Sequence, residues 1–380
     1  MRLTAWIGCA WWALGCVACG GSSSDGGPPG AGGGAATGTA TTGTGGAAAT
    51  SGVGDSAGGA GGANGAGGAN GANGANGAGG ANGAGGANGA GGANGAGGAP
   101  RELHVDTSSP ELSEIRFKPS ELDPEVSDRD LEQVALLDTR VARFAGKLVV
   151  TLSGSSQPPG PLDLTRFVAA RGFHAFAVAY KNDYNIVQND PDTFGDARLE
   201  AFDGQDHTAL IEVARADSIE ARLARALAHL KEVHPRGDWG YFLEDDGSPR
   251  WSVIIFSGHS HGASSAARIG KVVRLDRVVS LAGPRDTNPV SATWLSEPSA
   301  TPVDRMFGLT GERDEQHPDH LKAFDLIGLP GELVEVDVPG AAPPYGGSHR
   351  LALKDGDHGA TGNCGAHVAV CETMFGLPLP

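Results

Sequence analysis

Residues 251–268 read WSVIIFSGHSHGASSAAR, and their reading decides the fold. A β-branched and aromatic run, Val253-Ile254-Ile255-Phe256, stops at Gly258-His259-Ser260-His261-Gly262. The small residues Ala263-Ser264-Ser265-Ala266-Ala267 then open a helix. A strand, a G-x-S-x-G turn and a helix in that order predict a nucleophile elbow. The turn is too sharp for side chains two positions to either side of the serine, which is where the glycines stand. It pushes the hydroxyl out of the sheet and leaves the next backbone N–H free to bind an oxyanion. Ser260 is therefore the candidate nucleophile. The pentapeptide alone does not suffice, because Gly54-Asp55-Ser56-Ala57-Gly58 matches it inside a Gly/Ala/Thr tract with no strand before it.

Working outward, buried strands are predicted at 146–152, 174–180, 277–281, 305–309 and 333–338. Helices are predicted over 162–172, from Ser218 onward with Ser218 as its cap, and briefly near 130–135. Residues 181–217 read as a polar, irregular insertion of the kind that shapes a substrate site. Strands alternating with helices predict a mostly parallel sheet covered on both faces. The expected architecture is a single α/β-hydrolase domain over residues 101–380.

A serine hydroxyl needs a histidine to take its proton and a carboxylate to orient that histidine. In this architecture acid and base follow the serine in the chain, each on a loop leaving a strand's carboxyl end. Asp314, in Thr310-Gly311-Glu312-Arg313-Asp314, is the first candidate acid, and Asp286, in Leu281-Ala282-Gly283-Pro284-Arg285-Asp286, the alternative. His358, in the tight polar loop Asp355-Gly356-Asp357-His358-Gly359, is the first candidate base. His349, just before an apolar alternation at Leu351 and Leu353, is the alternative. Two amide donors for an oxyanion are expected from His261 and from Ser155 or Ser156. His259-x-His261, with His317 and His320, lacks the spacing of H-E-x-x-H or H-x-H-x-D-H, so no metal and no other cofactor is expected.

The first hundred residues are a different material. One basic residue, Arg2, precedes an apolar run from Ala5 to about Ala18, a secretory layout too short for a finished bilayer span. Cys19, or alternatively Cys16, stands where a bacterial lipoprotein signal (residues 1–19) carries its lipidated cysteine; a plainly cleaved signal is the other reading. Residues 20–100, ending in GGANGA units, have almost no apolar surface to bury and are expected to be a disordered linker reaching roughly 50 Å. The expected location is extracytoplasmic: membrane-anchored through an N-terminal lipid, or secreted.

Of the 44 acidic residues only Asp25 and Asp55 precede residue 101, and of the 28 Lys and Arg only Arg2 does. So acidic a domain repels phosphate backbones, and no nucleic-acid partner is expected. Cys364 and Cys371 are within disulfide reach if a loop joins them but not if the segment between is helical.

Residues from about 103 onward resemble the bacterial BPSS1187-like family of α/β-hydrolases. The resemblance is carried by 147–154 (KLVVTLSG), 172–180 (GFHAFAVAY), the elbow with its helix, and 281–286 (LAGPRD). It implies the fold and a serine-hydrolase site without defining a substrate. Ser155-Ser156 departs from the Gly or Thr that related loops carry. The expected function is that of a monomeric esterase- or lipase-like serine hydrolase acting on a small-molecule or lipid ester. A peptidase or amidase with the same triad, or a binding module on a degenerate scaffold, are the alternatives.

Overall fold

The structure is a computed structural model that describes residues 101–184 and 190–378. The expected signal segment, Cys16, Cys19 and the Gly/Ala/Asn tract lie outside the described residues. The apolar runs build a nine-stranded sheet: β1 (Leu112–Phe117), β2 (Gln133–Asp138), β3 (Leu148–Leu152), β4 (His174–Ala177), β5 (Ile254–His259), β6 (Arg277–Leu281), β7 (Met306–Gly311), β8 (Val334–Glu335) and β9 (Arg350–Leu353). Across the sheet the order is β1-β2-β4-β3-β5-β6-β7-β9-β8. Only β2 runs against the rest; β4, β3, β5, β6, β7, β9 and β8 pair in parallel.

Parallel strands require crossovers, and helices supply them on both faces. Alternate residues of each strand feed opposite cores: Leu148, Val150 and Leu152 of β3 pack to one side and Val149 to the other. The first side is covered by α2 (Thr193–Asp203), α3 (Ile219–Val233), α4 (His261–Val272) and α5 (His317–Ile327). The second is covered by α1 (Leu162–Ala169) and α6 (Val368–Phe375). Ser218 caps α3 through the Ala221 amide. This is a single α/β-hydrolase domain, with the crossover β3-α1-β4 and the elbow between β5 and α4.

Three segments differ from expectation. The short helix expected near 130–135 is strand β2, whose six residues are all buried; covered on both faces, it shows no period-2 alternation to reveal it. The irregular insertion contains α2, whose buried face mixes Phe194, Ala197 and Ala201 with Arg198 and Glu200, so the polar residues mask the helical stripe. The strand expected over 333–338 shrinks to the edge pair Val334–Glu335, and the final central strand is β9.

Candidate active site

The expected catalytic and oxyanion residues other than His349 gather at the carboxyl end of the parallel strands. Ser260 follows β5 directly, with φ 57° and ψ −119°, a region that costs a non-glycine residue about 1–3 kcal/mol. Only glycine fits on either side. A Cβ on Gly258 would lie 2.1 Å from the Gly262 carbonyl oxygen, and one on Gly262 would lie 2.2 Å from that of Leu152. The Ser260 amide is anchored to the Leu281 carbonyl of β6 at 2.9 Å. With α4 beginning at His261, the helix presents its positive end to the serine.

Asp314 sits on the turn after β7 and His358 on the loop after β9, and these strands are neighbours. The two loops are knitted together by backbone bonds from Glu312 N–H to Leu353 C=O and from Arg313 N–H to Gly356 C=O, both 2.9 Å. His358 Nδ1 lies 2.6 Å from Asp314 Oδ2. Burial alone would raise the Asp314 carboxyl, but the Gln316 amide and the His358 ring hold it below its ordinary value. An ionised carboxylate only accepts, so the ring proton belongs on Nδ1 and Nε2 is left as a base. The His358 loop is tied to the elbow by His259, whose Nε2 donates to the His358 carbonyl at 2.9 Å and whose ring meets that of His358 edge-on at 5.0 Å. The role of His259 as a strap between β5 and the His358 loop carried no local signal in the sequence.

The two alternatives have other partners. Asp286 is buried and held by both arms of Arg198 at 2.6 Å, with Trp294 Nε1 at 3.1 Å. His349 precedes β9 and so lies at the opposite, amino end of the sheet, with Nδ1 on the Met306 carbonyl at 2.9 Å and its ring stacked on Phe307 at 3.8 Å. His317 and His320 both engage the Thr310 hydroxyl, and His320 is fully buried. No group of three or more metal-type side chains occurs among the described residues.

The 153–157 loop after β3 brings Gly154 beside Ser260: a Cβ there would stand 3.5 Å from the serine Cβ. Ser156, at φ 58°, gives its amide to the Asn182 carbonyl at 2.9 Å. The Ser155 amide has no protein acceptor among the described residues, so of the two serines Ser155 is the available donor. Asn182, which sequence reading missed, clamps this loop: its Nδ2 donates to Ser153 Oγ, the Gly154 carbonyl and the Gln157 carbonyl at 2.8–3.0 Å. A cavity of about 370 Å³ opens beside Ser260 and Ser155, with Tyr184, Arg198, His261 and Arg285 in its wall.

Cys364 and Cys371 are disulfide-bonded with Cα atoms 5.6 Å apart. The segment between them is helical only from Val368, which brings the pair within reach.

No protein-family model matches the chain, and neither does any curated protein sequence. Among solved structures it is similar to a substrate-bound fluorophosphonate-binding serine hydrolase F of Staphylococcus aureus, with 10% identity over 70% of this chain and 98% of that one, at a TM-score of 0.36. It is also similar to esterase 2 of Thermogutta terrifontis, with 14% identity over 71% and 90% and a TM-score of 0.35. A third is esterase B of Lactobacillus rhamnosis bound to a phosphonate inhibitor, with 12% identity over 57% and 72% and a TM-score of 0.32. The fold itself stands on strand order, crossovers and the elbow.

Proposed function

We propose that this chain is a serine hydrolase that cleaves carboxylic esters through an acyl-enzyme. The observation that carries the reading is the 2.6 Å contact between His358 Nδ1 and Asp314, strapped by His259 to a strained serine turn at the same end of the sheet. Ser260 Oγ attacks the ester carbonyl as its proton passes to His358 Nε2. The oxyanion takes the His261 and Ser155 amides, and Asp314 stabilises the imidazolium. Collapse breaks the carbon–oxygen bond to the leaving alcohol, which receives the proton from His358. Water then repeats the sequence, releasing the acid and returning the proton to Ser260.

A fluorophosphonate probe tests the reading directly. Wild-type protein is expected to be labelled and Ser260→Ala not; folded wild type that takes no label would instead be a binding module. Rates on 4-nitrophenyl esters of graded chain length, set beside matched anilides, then separate an esterase from an amidase.

The same proposal includes the tether. A lipid on Cys19 would hold the domain at a bacterial membrane, with residues 20–100 between anchor and domain. Palmitate incorporation that is lost in Cys19→Ser and retained in Cys16→Ser supports it; release of unlabelled protein into the medium counts against it. The narrower BPSS1187-like resemblance belongs to the proposal as well. Its four segments supply β3 with the 153–157 loop, β4, the elbow and the Asp286 loop.

A further inference from the structure

The cavity beside Ser260 contains two guanidinium side chains in very different states. Arg198 is buried, and the protein occupies all of its arms: Nε and Nη2 on Asp286 at 2.6 Å, Nη1 on the His261 carbonyl at 3.1 Å and on Ser265 Oγ at 3.0 Å. Its charge is cancelled by Asp286 in a bidentate pair, and its geometry serves the start of α4 rather than a ligand.

Arg285 is the opposite. It stands on the same loop, one residue before Asp286, and its backbone amide is fixed to Ser264 Oγ at 3.0 Å. Its side chain is about half exposed, and its only partner among the described residues is Asp319, at 3.5 Å from Nε. That carboxylate is already engaged by the Thr287 hydroxyl at 3.0 Å. Among the described residues the two terminal nitrogens of Arg285 have no hydrogen-bond acceptor. The formally charged residues in the cavity wall are Arg198, Asp286 and Arg285; the first two cancel, and Arg285 meets its carboxylate, Asp319, through Nε alone and outside that wall. The His261 ring adds no charge, because burial and the nearby Arg198 push its imidazole well below the ordinary range. The rest of the wall is neutral, including Ser155, Tyr184, Phe194 and Asn288.

We infer that the substrate is an ester carrying a carboxylate on its acid or alcohol portion, with that carboxylate bound by the free end of Arg285. A planar fork of N–H donors matches a carboxylate in a way that a neutral acyl chain cannot use. The volume of about 370 Å³ accommodates a short acid or alcohol.

The inference rests on the hydrolase reading, and the experiment keeps the two apart. Hydrolysis of mono-4-nitrophenyl adipate is compared with that of 4-nitrophenyl hexanoate, which has the same acyl length without the charge. Moving the carboxylate to the alcohol, as in the hexanoate ester of 4-hydroxybenzoate beside that of 4-hydroxybenzamide, tests the other side. Wild type is expected to favour the anion of one of these pairs in kcat/KM by about tenfold or more, a preference that shrinks between 20 mM and 500 mM salt. In Arg285→Gln the ratio is expected to fall to about one, and in Arg285→Glu to invert. Equal rates within both pairs in wild type, or a ratio unchanged in Arg285→Gln, would overturn the inference. Binding of monomethyl adipate against methyl hexanoate, followed by calorimetry on Ser260→Ala with and without Arg285→Gln, covers the acid side without any turnover. If no ester is hydrolysed, the hydrolase reading fails. Calorimetry then decides the role of Arg285: tighter binding of the anion that is lost in Arg285→Gln supports it, and equal binding ends it.

Discussion

His349 and His358 flank one four-residue strand, yet they belong to different parts of the molecule. At the amino end of β9, His349 is stacked on Phe307 and tied to a carbonyl, and burial pushes its imidazole below the ordinary range. At the carboxyl end, His358 is about one-third exposed and paired with a buried carboxylate. The amino end of β4 repeats the first pattern: His174 is fully buried against Trp239 and Phe242, with Nε2 on the Gly237 carbonyl at 2.7 Å. In a parallel sheet the two ends are inequivalent. The amino ends of the central strands are closed by packing, while the carboxyl ends open into loops that leave polar groups accessible.

The sharpest way to break this comparison is to remove each histidine in turn. His358→Ala is expected to lower kcat by about 10⁴-fold. His349→Ala should leave kcat within about threefold and lower Tm by a few degrees, through lost stacking and one hydrogen bond. A reversed pattern would exchange the roles of the two ends.

The aspartates divide in the same way. Asp314→Asn is expected to cost about 10³–10⁴-fold in kcat with little change in Tm, because it spoils the tautomer of His358. Asp286→Asn leaves Arg198 buried with its charge unpaired and is expected to destabilise the fold by about 3–5 kcal/mol, visible as a Tm lower by about 10 °C. Thermal melts and initial rates on the same preparations check both.

The buried histidines set the acid limb of stability. Burial holds His174 at about 4, below its unfolded value of 6.5, so between those pH values the unfolded chain binds the extra proton. Its contribution is complete above about pH 6.5 and is lost as pH falls toward 4, on the order of 3 kcal/mol. His320, held at about 4 chiefly by burial, acts in the same direction. A melting series from pH 8 to 4 should show the decline, and His174→Gln, which cannot titrate, should flatten it. An unchanged acid limb in that variant would separate burial at the amino end from acid sensitivity.

The smallest expected effect concerns the loop that Asn182 clamps. Asn182→Ala frees the Ser153, Gly154 and Gln157 contacts and lets the Ser155 amide drift. A loss of about tenfold in kcat is expected, less than that for deleting an oxyanion donor outright. No change in kcat would mean that the loop holds its shape without the clamp.

Much of this was legible along the chain, for a local reason in each case. The elbow is a contiguous event: strand, two sterically required glycines and helix lie within eighteen residues. Strands β3, β4 and β6 are short apolar runs bounded by turn residues, and each is buried on both faces. Asp314 and His358, which the structure pairs, could be singled out because chain order and strand ends limit the choice. What escaped was held together across the sequence. Arg198 looks like one more surface charge in a polar insertion until α2 packs it against Asp286, 88 residues away. Asn182 has no distinguishing neighbours, and β2 is recognisable only once β1 and β4 lie on either side of it.

The sequence by itself determined the architecture and the strained serine turn, because backbone sterics and hydrophobic burial act through neighbouring residues. The tertiary structure decided which histidine pairs with a buried aspartate at the carboxyl end of the sheet, which aspartate Arg198 takes and which arginine of the cavity wall stays half exposed. Those choices depend on which end of the sheet a loop occupies and on which partner reaches a charge first, and both are properties of the packed sheet.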